Sequence, residues 1–105
     1  MQHKFGLHGK LTAKAGQREA LAAILLQAAA LLQSAKACRL YAVATDDKQP
    51  DTVWVSEIWD SADDHAQSLS TPGVRELIGK AMPLLAEMPT RGQELRVLGG
   101  VGVSI

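Results

Sequence analysis

Hydrophobic and polar positions alternate along the first part of the chain with the two-residue period of a β-strand. In the stretch 5–14 (FGLHGKLTAK), the apolar residues Phe5, Leu7 and Leu11 share one parity, and the polar His8 takes the other. Side chains two positions apart point to the same face of a strand. This stretch therefore predicts a first strand with one apolar face.

The next segment, residues 15–35, changes to the period of an amphipathic helix. Its apolar positions recur at spacings of three, four and seven, which places them on one helical face. This stripe consists of Leu21, Ile24, Leu25, Ala28, Leu31, Leu32 and Ala35. Because alanine is also the strongest helix former, the segment predicts a long helix with one buried face.

Two further strands are predicted at 38–45 and 52–59, on either side of a polar turn that contains a proline. Both are apolar at both parities. In the second, one face holds Val53, Val55, Glu57 and Trp59 and the other holds Trp54, Ser56 and Ile58. Antiparallel strands with one face in water usually alternate cleanly. We therefore expect both faces of this sheet to be covered.

Two short helices and a final strand complete the pattern. Ser61 and Asp64 have the spacing of a capping box at the start of the first helix. The second helix is predicted with Thr71 as N-cap and Pro72 as first helical residue, and Pro83 should kink or end it. Its apolar stripe consists of Val74, Leu77, Ile78, Ala81 and Met82.

The order of elements predicts the fold. It is the β-α-β-β-α-β order of a ferredoxin-like α+β domain, with an antiparallel sheet and helices on one face. The 105 residues are enough for one such domain, 1–105. Since the helices can cover only one face, we expect the other face to pack on the sheet of an identical subunit, which gives a homodimer.

Composition narrows the class of partner. Eleven basic residues balance eleven acidic ones. The chain therefore has no net positive charge that would attract nucleic acid or anionic lipid. The single cysteine, Cys38, fits a reducing compartment. The amino terminus lacks the apolar core of a signal peptide, and the longest apolar stretch, 20–32, is too short to span a bilayer. We expect a cytoplasmic protein with no nucleic-acid or membrane partner.

Recognised cofactor motifs are absent from the sequence. No H-x-x-x-H, E-x-x-H or C-x-x-C pattern suggests a metal site. The glycine-rich stretch 99–103 is not followed by a helix, as a dinucleotide fingerprint requires. We expect no metal and no cofactor.

Three segments together resemble the antibiotic biosynthesis monooxygenase domain family, and within it the branch described as quinol monooxygenases. They are FGLHGKLTAKAGQREAL, CRLYAVATDDKQPDTVWVSEIWDSADDHAQSL and PGVRELIGKAMPLL. The resemblance runs from about Phe5 to about Leu98. The part of the resemblance that is most specific to the family is the motif Glu57-x-Trp59 followed by Asp-Ser-x-x-x-His65.

The resemblance implies a dimeric α+β barrel of two ferredoxin-like subunits. Characterised members oxidise phenolic or quinol-like polycyclic substrates with O₂ and use no flavin, haem or metal. The related haem-degrading branch has Asn, Trp and His at three positions where this chain has Gly9, Ser68 and Ile78. Haem degradation is therefore not expected.

With the family in view, two residues become candidates for catalysis. Trp59 either closes the core or forms a pocket wall that stacks on a flat substrate or donates its indole N–H. His65 shares a helix face with Ala62, Ala66 and Leu69. It is either a structural histidine held by a hydrogen bond or the general base that removes a phenolic proton.

Glu57 and Tyr41 are candidate substrate-binding residues on inner strands. A buried carboxylate needs a partner, or its pKa rises. We favour a structural ion pair of Glu57 with Arg39 or Arg96, the alternative being that Glu57 lines the pocket. Tyr41 either hydrogen-bonds the ligand or packs.

Two more candidates for substrate binding are less defined by the pattern. His8 on the first strand reaches either the pocket or the dimer face. Arg75 lies near the positive end of the last helix, where it suits an anionic substrate oxygen.

The resemblance, together with these residues, implies a cofactor-free, homodimeric monooxygenase. Its substrate would be a phenolic, quinol-like or polycyclic aromatic small molecule, with His65 drawing off the phenolic proton and Trp59 positioning the ring. The alternative is a non-catalytic, small-ligand-binding or stress-related dimeric barrel.

Overall fold

The element order matches the order predicted from the sequence. The computed structural model describes residues 3–89 and 92–103. The elements are β1 (Lys4–Thr12), α1 (Arg18–Leu32), β2 (Cys38–Thr45), β3 (Thr52–Trp59), α2 (Ala62–Ser68), α3 (Val74–Ala81) and β4 (Gln93–Val97). A short 3-10 helix, Met82–Leu84, continues directly from α3, so Pro83 does end the α-helix as expected.

The four strands form one antiparallel sheet in the order β2-β3-β1-β4. This is the strand order of a ferredoxin-like domain, with β1 and β3 at the centre. The register sets Glu57 opposite Leu7 on one side and opposite Tyr41 on the other. These three side chains therefore lie side by side on the face of the sheet that meets the helices.

The core lies between this face and the helices, in two clusters of buried residues. One contains Ala13, Leu21 and Val53, and the other contains Leu32, Trp59 and Val74. The predicted apolar stripe of α1 is confirmed at Leu21, Ala28 and Leu32, all buried, whereas Leu31 at its edge is 41% exposed.

The helix starts were predicted with mixed success. Ser61 caps α2 as expected, since its Oγ accepts a hydrogen bond from the Asp64 backbone N–H at 3.1 Å. The predicted N-cap Thr71 is wrong, because α3 begins at Val74 with Gly73 as its N-cap. Gly73 has a φ of 89°, in the left-handed region that glycine tolerates best. A Cβ there would also lie 2.9 Å from Leu31 Cδ1.

No helix of the described ranges covers the second face of the sheet. Leu40 and Leu95 on this outer face are 37% and 49% exposed, and Trp54 and Ile58 are partly buried. His8 also lies here, at the parity opposite to Leu7. Within residues 3–89 and 92–103, no helix is long and apolar enough to cross a membrane.

Candidate active site

A cavity of about 210 Å³ lies between the sheet and the helices. Its walls are mainly aliphatic side chains of α1 and α3. Four polar residues also line it, namely Tyr41, Glu57, His65 and Ser68. An apolar cavity with a few convergent polar groups is the usual form of a small-molecule site.

Glu57 is the buried acid of this cavity. Its side chain is only 12% exposed. The indole Nε1 of Trp59 donates a hydrogen bond to Glu57 Oε1 at 3.0 Å, and His65 Nε2 lies 3.6 Å from the same oxygen. Burial raises the pKa of Glu57, while the Trp59 hydrogen bond and the nearby His65 act in the opposite direction.

His65 is placed by the start of α2 and by two aromatic rings. Its backbone N–H donates to the carbonyl oxygen of the N-cap Ser61 at 3.2 Å. The imidazole lies 5.7 Å from the Phe5 ring and 5.8 Å, edge-on, from the Trp59 ring. These contacts hold Nε2 toward Glu57 and leave 21% of the side chain exposed.

The face of α2 that points inward agrees only in part with the predicted one, since His65 and Leu69 of that face line the cavity. Ala62 and Ala66, predicted to share the buried face with His65, are both exposed. Ser68 is buried instead, and its hydroxyl donates to the His65 carbonyl oxygen. Because Ser68 is three positions after His65, the two lie on one side of the helix.

Trp59 supports the site from within the core. It is 1% exposed and belongs to the cluster with Leu32 and Val74. It is not among the residues that line the cavity, so it closes the core rather than forming a wall. Its indole N–H is engaged by Glu57 and fixes the position of that carboxylate.

Tyr41 lies directly opposite Glu57 on the neighbouring strand. Burial and the adjacent Glu57 raise the pKa of Tyr41 well above its usual range. The phenolic hydroxyl therefore stays protonated at neutral pH. A protonated hydroxyl at the cavity wall can donate a hydrogen bond to an oxygen anion of a ligand.

The expected ion pair of Glu57 with Arg39 is wrong. Arg39 instead binds Asp60, with Nε 2.8 Å from Oδ1, and Lys4 Nζ lies 2.9 Å from the same oxygen. These hydrogen bonds lower the pKa of Asp60 to about 2. Arg96 lies opposite Phe5 on the edge strand and is exposed.

Two of the predicted binding residues lie away from the cavity. His8 lies on the outer face, where its Nδ1 is 2.8 Å from Ser56 Oγ and its ring stacks on Trp54 at 5.3 Å. Arg75 is exposed on α3 and does not line the cavity. Neither residue is brought together with Glu57 and His65.

No group of three or more His, Cys, Asp or Glu residues that could hold a metal ion occurs within residues 3–89 and 92–103. Ser68 was not predicted as a lining residue of the larger cavity, nor were Leu7, Gly9 and Val55, which surround a smaller neighbouring cavity. The signal that could have found the latter three is their strand parity, which they share with Glu57.

Comparisons with known proteins agree with this architecture. The sequence model of the family described as "Antibiotic biosynthesis monooxygenase" matches residues 5–80. A crystal structure from Chloroflexus aurantiacus J-10-fl, named "putative Antibiotic biosynthesis monooxygenase", is 42% identical with a TM-score of 0.85. The match covers 96% of this chain and 99% of that one.

More distant structures share the fold. A protein of the same name from Nitrosomonas europaea has a TM-score of 0.86 at 13% identity, over 93% of each chain. Another from Caulobacter crescentus CB15 has a TM-score of 0.83 at 17% identity, over 92% of each chain. No functionally curated protein matches the chain.

Proposed function

This chain belongs to the antibiotic biosynthesis monooxygenase family, and we propose that it is a cofactor-independent monooxygenase acting on a phenolic or quinol-like aromatic. The observation that carries the proposal is the Glu57–His65 pair, which opens on a largely apolar cavity. A proton acceptor beside an apolar space suits a substrate that is flat, uncharged and weakly acidic.

The size of the cavity supports a small aromatic substrate. An apolar cavity of roughly 150 Å³ is known to take up one benzene ring. The cavity here is about 210 Å³, which suits one or two rings better than a larger polycyclic system. Leu69, Ile78 and Met82 line it and are 47%, 42% and 40% exposed, so we expect the substrate to enter from this side.

The first step of the proposed reaction is removal of a phenolic proton. The phenol donates to the Glu57 carboxylate, and the Glu57–His65 pair, with His65 Nε2 3.6 Å from Glu57 Oε1, takes up the proton as an imidazolium that the carboxylate stabilises. Trp59 keeps Glu57 in place through its indole N–H. Tyr41 donates a hydrogen bond to the phenolate oxygen and thereby stabilises the anion.

The second step is attack of the electron-rich phenolate on O₂. For a quinol, one oxygen atom enters the ring as a hydroxyl group and the other leaves as water. The quinol is oxidised by four electrons to a hydroxyquinone, so the substrate supplies every electron that O₂ takes up. The protein contributes orientation and electrostatic stabilisation.

Oxygen consumption with a panel of hydroquinones and naphthohydroquinones tests this function. We expect one O₂ consumed per quinol, one labelled oxygen atom from ¹⁸O₂ in the product, and activity that survives dialysis against a chelator. The exposed Arg75 provides a control, since Arg75→Gln should retain the wild-type rate.

Stoichiometric hydrogen peroxide with no label in the product would mean simple autoxidation and would contradict the proposal. Saturable binding of the quinols with no oxygen consumption would favour the alternative, a non-catalytic small-ligand-binding protein.

The outer face of the sheet supports a second proposal, that the chain forms a homodimer through this face. Leu40, Leu95, Trp54 and Ile58 make it apolar, and apolar surface of this kind usually marks an interface. A second copy of the chain would cover it sheet to sheet.

Sedimentation at micromolar concentration tests the dimer. We expect about twice the chain mass of 11.2 kDa. Leu40→Lys should shift the protein toward monomer because it places a charge in the interface. Leu26→Lys, at a 56% exposed position on α1, should leave the dimer intact. A monomeric wild type with a cooperative thermal transition would refute this arrangement.

A further inference from the structure

A second, smaller cavity adjoins the one described above. Its volume is about 140 Å³. Leu7, Gly9 and Val55, which share the face of Glu57, line it together with Lys10, an exposed residue of the opposite parity. The residues common to both cavities are Leu11, Leu25, Tyr41 and Glu57. The two spaces are therefore neighbours that meet at one polar boundary.

The boundary carries two polar groups with unused hydrogen-bonding capacity. Trp59 and His65 both approach Oε1 of Glu57. Among residues 3–89 and 92–103, neither Glu57 Oε2 nor the Tyr41 hydroxyl takes part in a hydrogen bond. Since no fully buried side-chain polar atom in these ranges lacks a partner, both atoms face space that a ligand can reach. Since Tyr41 and Glu57 are paired across adjacent strands, one hydroxyl group placed between them can donate to the carboxylate and accept from the phenol.

This arrangement constrains where the parts of a ligand lie. The larger cavity suits the ring, and the ligand hydroxyl lies at the boundary. A substituent that reaches the smaller cavity must be attached to the ring at the position next to that hydroxyl group. Leu7 and Val55 make the smaller cavity suitable for an apolar group.

We propose that both cavities bind one ligand, an uncharged phenol with an apolar substituent ortho to its hydroxyl group. The ring occupies the larger cavity, the hydroxyl lies between Tyr41 and Glu57, and the substituent occupies the smaller cavity. The phenolic nature of the ligand rests on the proposed function, whereas the two-part geometry rests on the cavities.

Two isomeric probes test the geometry without requiring turnover. Binding of phenol, 2-butylphenol and 4-butylphenol is measured by NMR titration under anaerobic conditions. The isomers have the same composition and differ only in the direction of the chain. We expect 2-butylphenol to bind about tenfold more tightly than phenol, because its chain leaves water for an apolar site.

Variants that fill one cavity at a time provide the controls. Val55 and Leu7 line only the smaller cavity, and Ile24 lines only the larger. Val55→Met should abolish the advantage of 2-butylphenol and leave phenol and 4-butylphenol unchanged. Leu7→Phe should do the same, which keeps the test intact if Val55→Met fails to fold. Ile24→Phe should weaken all three ligands.

The outcomes separate this inference from the proposed activity. If Val55→Met and Leu7→Phe weaken phenol as much as 2-butylphenol, or leave 2-butylphenol unchanged, the two-part geometry is wrong. If the ligands bind as expected but no oxygen is consumed, the two-part geometry stands and the proposed activity is wrong. If oxygen consumption changes neither with ortho substituents nor in Val55→Met, the proposed activity stands and the two-part geometry is wrong.

Discussion

Trp59→Ala is expected to lower the free energy of unfolding by about 3–5 kcal/mol, the usual cost of removing a buried aromatic side chain. Trp59 is 1% exposed and packs in the cluster with Leu32 and Val74. Natural domains of this size are stable by only about 5–15 kcal/mol, so much of the stability would be lost. Urea unfolding followed by circular dichroism measures the change.

Trp59→Phe distinguishes the contribution of the aromatic ring to stability from that of the indole N–H group. Phenylalanine fills most of the space but leaves Glu57 without its donor, which should cost about 1–3 kcal/mol. Trp54→Phe is the matched control, because Trp54 lies on the outer face and donates to Gln49 in a turn. A Trp59→Ala protein that unfolds at the wild-type urea concentration would show that the ring does not hold the core together.

The effect of Trp59→Phe should depend on pH through Glu57. Burial raises the folded-state pKa of Glu57 above its unfolded-state pKa. The contribution of Glu57 to the free energy of unfolding is therefore most favourable below the unfolded-state pKa, and it declines as the pH rises through the folded-state pKa. The Trp59 hydrogen bond lowers the pKa of Glu57, and its loss raises that pKa further. The destabilisation should therefore be larger at neutral pH than near pH 4.

The strands and the long helix could be predicted because their patterns are local. Alternation in β1 and the stripe of α1 follow directly from the side-chain period of each element. The start of α3 could not be predicted in the same way. Thr71 and Pro72 are good helix-start residues, but the chain turns at Gly73 beside Leu31, a contact between two helices that no local pattern contains.

The site was predictable in part of its membership, at Tyr41, Glu57 and His65, but not in its pairings. Strand parity placed Glu57 and Trp59 on one face, and the observed pairing of β2 with β3 adds Tyr41 to it. The sequence could not show that Glu57 lacks an ion pair with Arg39. That outcome depends on the fold, which places the Arg39 guanidinium within hydrogen-bonding distance of Asp60. The inward face of α2 was also ambiguous, since a seven-residue helix gives too few positions to fix its phase.

His65→Gln is expected to lower turnover by roughly 10²–10⁴-fold, the usual contribution of a general base. Stability should change by only about 1 kcal/mol, because glutamine keeps a hydrogen-bonding group of similar length near Glu57. Oxygen consumption under substrate saturation measures the first quantity and urea unfolding the second. His8→Gln is the matched control, since His8 lies on the outer face against Trp54, and it should keep the wild-type rate.

The pH profile distinguishes a base from a structural histidine. In the wild type, turnover should fall toward acid pH as the general base takes a proton from solvent and can no longer accept one from the substrate. This acid limb should be absent in His65→Gln, where the remaining slow rate depends on substrate that ionises by itself. If the acid limb persists in His65→Gln, His65 is not the base. Glu57 would then be the proton acceptor, because burial raises its pKa and a stronger base takes the phenolic proton more readily.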